Sequence, residues 1–351
     1  MGGDDTMEFL YATDENFVHV LATSIYSLLK LHEYRMINIR VVLDQNVTQA
    51  SRTLLKDIGK KFGKNISFID MPDFDRLTNV SLDIKRYSMS MFSRLMADTL
   101  LPQSVERIIY LDADTLICDD LYPLWAADIG GKVIGAVNDF RSIAYCRNLG
   151  IRRENCYINS GVLLIDLKKY RSHHCEQRLL QALSRLNGML EFPDNDLICK
   201  VLQDEIALIP MRFNMISAVK MSTYKQLRWM RHPAVNVPKE MYDISKCKPA
   251  IIHFTTFFMM HGRPWIAGCN HPDTQRYIQT RREATGLSPI KETTQKSIGK
   301  KLIDSMLRWM PKSLIIFFAG ILHAYVKPWK QSIRMRKCAM DVQTQASNFD
   351  C

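Results

Sequence analysis

Residues 107–120 have the sequence RIIYLDADTLICDD, in which an apolar run leads directly into two aspartates. The run at 108–111 predicts a short buried strand. Residues i and i+2 of an extended backbone point to the same side, so Asp112 and Asp114 would hold two negative charges together at the carboxyl end of that strand. Their repulsion is costly without a positive charge between them, and a divalent cation is the obvious candidate. An isolated D-x-D is more often an Asp-rich turn, so the metal hypothesis depends on the rest of the chain.

The composition is that of a globular protein with one strongly basic end. The chain has 351 residues, of which 47% are apolar and 24% charged, enough for one large or two ordinary domains. Of the net charge of +11, residues 291–340 contribute +9, because they hold eleven Lys or Arg and two acidic residues. This stretch also contains the apolar run IIFFAGIL, which favours an anionic membrane surface, and not nucleic acid, as its partner.

The cysteines and the N-terminus favour a cytoplasmic location. The nine cysteines are scattered without a C-x-x-C pair, a pattern typical of neither a zinc site nor a disulfide scaffold, and this favours a reducing compartment. The N-terminus has no basic region followed by an apolar run, so no secretory signal is evident.

Predicted strands and helices alternate along the chain. Apolar runs predict strands at 8–13, 37–43, 65–69, 108–111, 132–139, 157–167 and 249–254. Helical spacing of apolar residues predicts helices at 18–29, 47–62, 87–101, 192–202 and 274–283. This alternation predicts an α/β fold with a parallel, doubly wound sheet whose ligands lie at the carboxyl ends of the strands. Neither a G-x-G-x-x-G nor a P-loop motif is present, which argues against dinucleotide oxidoreductases and P-loop enzymes.

Two turns carry local signals. Asn159, Ser160 and Gly161 are predicted to form a turn before an apolar strand, where Gly161 would let the backbone approach a ligand. Asp194 or Asn195 would cap the helix at 192–202. Without an internal repeat or a low-complexity tract, residues 7–285 are interpreted as one domain.

Three strand ends support the metal hypothesis. Asp112, Asp114 and His253 each lie where a predicted parallel strand ends, and such ends share one edge of a sheet. Two carboxylates and one imidazole suit manganese, with magnesium tolerated, and leave coordination positions open for phosphate oxygens. The alternative for His253 alone is a hydrogen-bonded core histidine.

Several motifs together resemble glycosyltransferase family 8, whose members include lipopolysaccharide galactosyl- and glucosyltransferases and glycogenin. The motifs are YLDADTLICDDLYPLW, INSGVLLIDL, PDNDL, and HF followed by RPW, and the resemblance covers about residues 8–270. It implies a GT-A type fold, with a Rossmann-like, mostly parallel sheet flanked by helices. It also implies a UDP-sugar donor, a manganese ion and transfer with retention at the anomeric carbon.

The resemblance further implies roles for individual residues. Those that match metal ligands are Asp112, Asp114 and His253. Those that match donor-binding positions are Ala12, Asp14, Asn16, Arg94, Asp112, Asn159, Gly262 and Arg263. Those that line the donor sugar and are candidates for a catalytic or covalent role are Asp139, Asp194 and Asn195. The alternatives are a surface helix arginine for Arg94 and a helix cap for Asp194.

The closing segment departs from the family pattern, which is a short H-x-x-G-x-x-K-P-W. Here a longer insert separates His253 from Pro264, and Arg263 takes the place of the lysine. Arginine can still bind a diphosphate through its guanidinium fork.

The sequence thus predicts a metal-dependent hexosyltransferase with two regions. Residues 7–285 would transfer galactose or glucose from a UDP-hexose to a glycan or glycolipid such as a lipopolysaccharide core or a capsule or exopolysaccharide intermediate. Residues 286–351 would form a basic, aromatic-rich, amphipathic helical tail, broken at Pro311 and Pro328, that binds the inner face of the cell membrane. A helix packed on the catalytic domain is the alternative for the tail. A glycogenin-like primer protein and a binding module with a decayed site are the alternatives for the function.

Overall fold

Strands of two separate sheets form the centre of the computed structural model, which describes residues 6–72, 89–186, 190–290 and 310–336. The strands are β1 (Met7–Thr13), β2 (Ile37–Leu43), β3 (Ile66–Asp70), β4 (Arg107–Leu111), β5 (Thr115–Ile117), β6 (Ile134–Asn138), β7 (Ile158–Asp166), β8 (Ile206–Leu208), β9 (Met215–Ile216) and β10 (Ile251–His253). The larger sheet has the order β3-β2-β1-β4-β7-β6-β8, and the smaller has the order β5-β10-β9.

The larger sheet is mostly parallel, as predicted. Strands β3, β2, β1 and β4 run in one direction, and β7 is antiparallel to both of its neighbours, β4 and β6. Strand β8 is parallel to β6. The predicted α/β fold with a mostly parallel sheet is confirmed.

Helices cover the sheet. They are α1 (Val18–Leu31), α2 (Gln49–Lys61), α3 (Ala97–Leu100), α4 (Tyr122–Trp125), α5 (Ile143–Leu149), α6 (Leu167–Ser172), α7 (Cys175–Arg185), α8 (Pro193–Val201), α9 (Ser217–Lys220), α10 (Tyr224–Arg231), α11 (Lys239–Cys247), α12 (Thr274–Thr285) and α13 (Lys312–Ile321). Short 3₁₀ segments occur at Glu15–Phe17, Met89–Leu95 and Met211–Phe213.

The central strands bury both faces. On β4, Ile109 and Leu111 belong to an apolar cluster that includes the buried face of α1, whereas Ile108 and Tyr110 belong to a second cluster that includes α7 and α8. A strand covered on both sides needs a continuous apolar sequence, which explains why RIIYL lacks the polar alternation of a half-exposed strand. This packing fixes β4 and therefore the position of the aspartates that follow it.

The strand that carries His253 does not belong to the larger sheet. Strand β10 pairs antiparallel with β5 and parallel with β9 in the smaller sheet. The expectation that His253 ends a parallel strand of the same sheet as the D-x-D was therefore wrong. Strand β5, which directly follows the D-x-D, pairs with β10 and places it in the smaller sheet.

Three local expectations also differ from the structure. Arg94 lies in a 3₁₀ segment and not in an α-helix spanning 87–101, of which residues 87 and 88 lie outside the described residues. Residues 159–161 lie inside β7, beside a register shift between Ala136 and Val137, and not in a turn before the strand. Helix α8 is capped by neither Asp194 nor Asn195. Its N-cap is Phe192, which makes no side-chain capping bond, and Pro193 occupies the first turn.

The described part of the basic tail is a helix that packs on α10. Helix α13 continues as a π-helical segment, Leu322–Val326, and then as an α-helix over 327–336. Pro311 precedes the helix as predicted, but Pro328 does not end it, since the wider turn just before Pro328 accommodates a residue without an N–H. Phe317 stacks on Trp229 with 5.9 Å between ring centroids. A Cβ at Gly320 would lie 2.7 Å from Nε1 of Trp229, so only glycine allows this close approach.

Within the described ranges, no helix combines the length and the apolar character needed to span a bilayer. The tail residues Leu302, Met306 and Trp309, and the basic residues Lys300, Lys301, Arg308 and Lys337, lie outside the described residues.

Candidate active site

The D-x-D motif joins the two sheets. Asp112 follows β4 and donates its backbone N–H to the carbonyl of Gly161 over 2.8 Å, and the carbonyl of Asp114 accepts the N–H of Phe254 over 3.0 Å. Strand β5 begins at the next residue, Thr115, which is directly opposite His253 in the antiparallel pairing. This register brings the imidazole next to the two carboxylates.

The three predicted metal ligands converge. Nε2 of His253 lies 3.1 Å from Oδ1 of Asp114 and 3.6 Å from Oδ2 of Asp112. One ligand atom from each residue lies within 4.8 Å of the other two. The imidazole is buried and the two carboxylates are partly exposed, so one side of the group is open to a ligand.

Asn214 sets the orientation of the His253 ring. Its Oδ1 lies 3.0 Å from Nδ1 of His253, and its amide nitrogen donates to Oδ1 of Asn159 over 2.9 Å. Because the amide nitrogen is used as a donor, the oxygen must accept, and Nδ1 therefore carries the proton. Nε2 is the nitrogen that faces the carboxylates, and with Nδ1 protonated it would present its lone pair to a cation bound between them, which is the arrangement usual for a metal-binding histidine.

The charges around the group suit a cation. Burial raises the pKa of Asp112, and Arg94 and His253 oppose this only in part. Burial also acts to raise the pKa of Asp114, but His253 and Arg263 outweigh it and lower that pKa below its usual range. Burial lowers the pKa of His253, and Asp114 more than compensates, so the net shift is upward. Two carboxylates and an imidazole whose ligand atoms lie this close together form a donor set that fits a hard or borderline divalent cation.

Gly161 makes room for this cluster. A Cβ at this position would lie 2.2 Å from Cε1 of His253 and 2.7 Å from Oδ2 of Asp112. The expected close approach at Gly161 is thus to the side chains of the candidate metal site.

Arg94 connects the candidate metal site to Asp194. The guanidinium donates to Oδ1 of Asp112 over 2.6 Å and to Oγ of Ser160 over 2.7 Å, and it lies 3.0 Å from Oδ2 of Asp194. Ser160 in turn donates to Asp194 over 2.7 Å. Burial lowers the pKa of Arg94, but Asp112, Tyr110 and Asp194 outweigh it and raise that pKa above its usual range. Arg94 is therefore a buried cation held between two carboxylates and not a surface helix arginine.

Asn195 and Asn159 lie in the same region. Oδ1 of Asn195 accepts the backbone N–H of Ser160 over 2.8 Å, and its amide nitrogen lies 3.4 Å from Asp194. Asn159 uses its oxygen to accept from Gly161 and from Asn214. These bonds join the start of α8 to the start of β7.

Asp139 has a different partner. Its carboxylate lies 2.6 Å from Nε of Arg141, and its backbone N–H donates to Tyr157 over 2.9 Å. The pair follows β6, and Arg141 also lies 4.3 Å from the ring centre of Phe192.

The loop after β1 lies at the same edge of the sheet as the D-x-D, because β1 and β4 are neighbouring parallel strands. Ala12 is buried at the end of β1. The carboxylate of Asp14 accepts from the N–H groups of Asn16 and Phe17, so it caps the following 3₁₀ turn, and Asn16 is exposed.

The closing segment also contacts the D-x-D. Gly262 has a φ of +69°, a conformation that favours glycine. Arg263 donates to Oδ2 of Asp114 over 3.0 Å and to Thr256 over 3.0 Å, and its guanidinium lies 5.5 Å from the ring centre of Trp265. The arginine that replaces the expected lysine is thus in direct contact with a candidate metal ligand.

Sequence reasoning missed Asn214, Ser160 and Tyr110. The hydroxyl of Tyr110 donates to Oδ1 of Asp112 over 3.0 Å. Tyr110 was assigned to the core strand alone. Asn214 is far from the D-x-D in sequence, and no motif identifies it.

The mostly parallel sheet, the D-x-D at its edge and the helices on both faces define a GT-A type transferase. Residues 8–267 match the model of glycosyl transferase family 8, and the chain belongs to this family. General stress protein A of Bacillus subtilis (strain 168) is 24% identical over 284 residues, which cover 79% of this chain and 94% of that protein. Lipopolysaccharide 1,2-glucosyltransferase of Escherichia coli (strain K12) is 26% identical over 242 residues, which cover 67% of this chain and 65% of that protein.

A solved structure has the same fold. The galactosyltransferase LgtC, crystallised with donor and acceptor sugar analogues, matches with a TM-score of 0.67 and 23% identity over 80% of this chain and 97% of that chain. At this identity the likeness shows the fold alone.

Proposed function

We propose that this family 8 glycosyltransferase moves galactose or glucose from a UDP-sugar to a glycan or glycolipid, such as a lipopolysaccharide core or a capsule or exopolysaccharide intermediate, with retention at the anomeric carbon. The observation that carries the proposal is the convergence of Asp112, Asp114 and His253 between the two arginines Arg94 and Arg263. This arrangement suits a divalent cation and the diphosphate that the cation would hold.

Asp112, Asp114 and Nε2 of His253 would hold Mn²⁺, or Mg²⁺ in its place. A bound cation of this kind neutralises the diphosphate and the charge that develops on the departing UDP. Arg263 is positioned to donate to a phosphate oxygen from the outer side of Asp114, since its guanidinium has five donors and the structure engages two partners.

Asp194 is the best placed of the three catalytic candidates. It is buried and linked through Arg94 and Ser160 to the candidate metal site, so its carboxylate lies near the donor side of that site. A carboxylate there would stabilise an oxocarbenium-like transition state. Asn195 would orient the sugar through its amide, and Asp139, paired with Arg141, would line the sugar from the β6 side.

A donor panel tests this proposal. Turnover of UDP-glucose, UDP-galactose and their N-acetyl forms is measured with Mn²⁺, with and without a chelator. We expect slow hydrolysis of at least one UDP-hexose that the chelator abolishes. Asp114→Asn should abolish this hydrolysis, and Asp119→Asn, which changes an exposed aspartate five residues away, serves as the matched control.

The proposal would be contradicted if the wild-type chain turned over none of the UDP-sugars, or if Asp114→Asn turned them over as fast as the wild-type chain. Sugar found on a tyrosine of the protein would instead support the glycogenin-like alternative. The comparisons do not favour that alternative, since LgtC was crystallised with a separate acceptor analogue.

The enzyme is also proposed to act on the inner, cytoplasmic face of the membrane, bound through α13 and the helical turns that follow it. Phe317 and Tyr325 of this helix pack on the catalytic domain, while other large apolar side chains of the helix are exposed. They are Leu314, Phe318, Ile321, Leu322, Trp329 and Ile333. Lys312, Lys330, Arg334 and Arg336 are exposed on the same helix. An exposed apolar stripe with flanking basic residues is typical of an interfacial helix on an anionic membrane.

A further inference from the structure

Four basic residues lie on segments that adjoin where the tail helix crosses the catalytic domain, and we name Arg141, Arg231, His323 and Lys327 the cation cluster. Two backbone bonds bring the first two together: the N–H of Ile143 donates to His232 over 3.3 Å, and the N–H of Ala234 donates to Arg141 over 3.1 Å. Arg141 and Arg231 therefore lie on adjoining segments.

The tail helix supplies the other two members. The ring of Tyr325 packs against His232 with 5.7 Å between centroids, and Asn148 donates to the carbonyl of Pro328 over 2.7 Å. The ring of His323 packs 6.0 Å from that of Phe258. These contacts hold His323 and Lys327 against the segments that carry the two arginines.

The charges of Arg141, Arg231 and Lys327 act on one another and on His323. Burial lowers the pKa of His323 to about 3, and the charges of Arg231, Lys327 and Arg141 act in the same direction. Burial and Arg141 lower the pKa of Arg231 to about 10, against the opposing charge of Asp139. Burial lowers the pKa of Lys327 as well, where Glu191 opposes the shift and both arginines reinforce it.

The nearby carboxylates leave Arg231 and Lys327 without an ion pair in the described part of the chain. Asp139 pairs with Arg141, Asp196 also acts on Arg141, and Glu191 acts on Lys327. Within the described ranges, Arg231 forms neither an ion pair nor a side-chain hydrogen bond, although it is half-buried. The guanidinium of Arg231 therefore has donors available for a bound anion.

The cluster lies beside the residues proposed to surround the donor sugar. Arg141 holds Asp139 and covers the ring of Phe192, which directly precedes α8 with Asp194 and Asn195. An anion in this position would belong to a molecule that approaches the donor sugar from the side of the tail helix.

We propose that the cation cluster binds a phosphate group carried by the acceptor, so the acceptor is a phosphorylated glycan or glycolipid. This inference rests on the proposed transferase function. Two guanidinium forks and an ammonium match the geometry and charge of a phosphate. Headgroups of a bulk membrane would instead meet the exposed residues Lys330 and Arg334 on the outer part of the helix.

Calorimetric titration with inorganic phosphate tests the cluster. Saturating UDP and Mg²⁺ are present to fill the donor site. UDP binding is measured separately, so a protein that fails to bind the donor can be distinguished from one that binds the donor but not phosphate. The double variant Arg231→Gln with Lys327→Gln is compared with Lys225→Gln and Arg228→Gln, which remove the same two residue types from the exposed side of α10. Arg231→Lys keeps the positive charge but changes the shape of the side chain, so it distinguishes an effect of charge from an effect of packing.

We expect the dissociation constant for phosphate to rise at least about tenfold in the first double variant, to change less than about twofold in the second, and to be largely retained in Arg231→Lys. Equal phosphate affinity in the two double variants, or no phosphate binding by the wild-type chain at millimolar concentration, would overturn the proposal. A loss of affinity for phosphatidylglycerol vesicles in the first double variant as large as its loss for phosphate would assign the cluster to lipid headgroups and overturn it too.

Discussion

Gly161 shows how closely a single backbone position is tied to the candidate metal site. Gly161→Ala places a methyl group 2.2 Å from Cε1 of His253, so the imidazole or β7 must move. We expect at least about tenfold weaker Mn²⁺ binding, since even outer-shell changes cost metal sites about 10- to 100-fold. Calorimetric Mn²⁺ titration measures the change.

Gly135→Ala is the matched control for this prediction. It is a buried glycine on the nearby strand β6, where a Cβ would lie 2.9 Å from Ile129 and 3.0 Å from Ile209. It should lower stability without weakening Mn²⁺ binding. Wild-type Mn²⁺ affinity in Gly161→Ala would contradict the assigned geometry.

At the residue scale, the candidate metal ligands could be predicted from the sequence, because each is a charged or metal-binding residue type in a recognisable local pattern. The residues that hold these ligands in position could not. Asp112 and Asp114 follow an apolar strand, and His253 ends another, so each carries a local signal. Asn214 and Ser160 act through contacts made only after the two sheets assemble. Their residue types are common in loops and strands, so local sequence cannot distinguish them from surface polar residues.

At the element scale, Asp196 fixes the entry to α8. It is fully buried and accepts hydrogen bonds from the hydroxyls of Tyr145 and Tyr157 and from the backbone of Glu191 and Phe192. Burial raises its pKa from 3.8 to about 6, even though these hydrogen bonds act to lower it. The folded state therefore favours the protonated acid.

This shift predicts a pH dependence of stability. The stabilisation from Asp196 is fully present below its ordinary pKa and is lost as pH rises through about 6. Between pH 4 and 6 the free energy of unfolding should fall by up to about 3 kcal/mol from this group, at about 1.4 kcal/mol per pH unit. Urea unfolding at several pH values should show this fall in the wild-type chain and not in Asp196→Asn.

Asp57→Asn, which replaces an exposed aspartate, should retain the wild-type slope. The same slope in Asp196→Asn as in the wild-type chain would show that Asp196 is ionised in the folded protein across this range.

Elements with long apolar runs were predictable, and short ones were not. Strand β2 was predicted at its observed bounds, 37–43, because alternating and then continuous apolar residues lead up to Asp44. Strands β5 and β10 have three residues each, and long-range pairing decides which sheet they join. The segment around Arg94 has apolar residues at a spacing that suits a helix, but its side chain is drawn inward by Asp112 and Asp194, and the backbone adopts a 3₁₀ conformation.

At the scale of the whole molecule, the tail helix both packs on the catalytic domain and exposes apolar side chains. Phe318→Ser with Trp329→Ser should weaken flotation with phosphatidylglycerol vesicles by more than about tenfold, because two aromatic side chains would lose roughly 2 to 3 kcal/mol of burial in the membrane interface. Tyr34→Ser, which changes an almost fully exposed aromatic residue elsewhere, is the control. Equal flotation of all three proteins would contradict a membrane role for this helix.

The candidate active site depends on both sheets, since β4 and β5 supply the environment of the aspartates and β10 supplies the histidine. Electron paramagnetic resonance of Mn²⁺ in the presence of UDP tests its proposed role most directly, because bound Mn²⁺ loses the six-line signal of the free ion. We predict one Mn²⁺ site per chain in the wild-type protein and in Asp119→Asn, and at least about hundredfold weaker binding in Asp114→Asn. Equal Mn²⁺ affinity in Asp114→Asn and the wild-type chain would contradict the assignment of Asp112, Asp114 and His253 as the metal site.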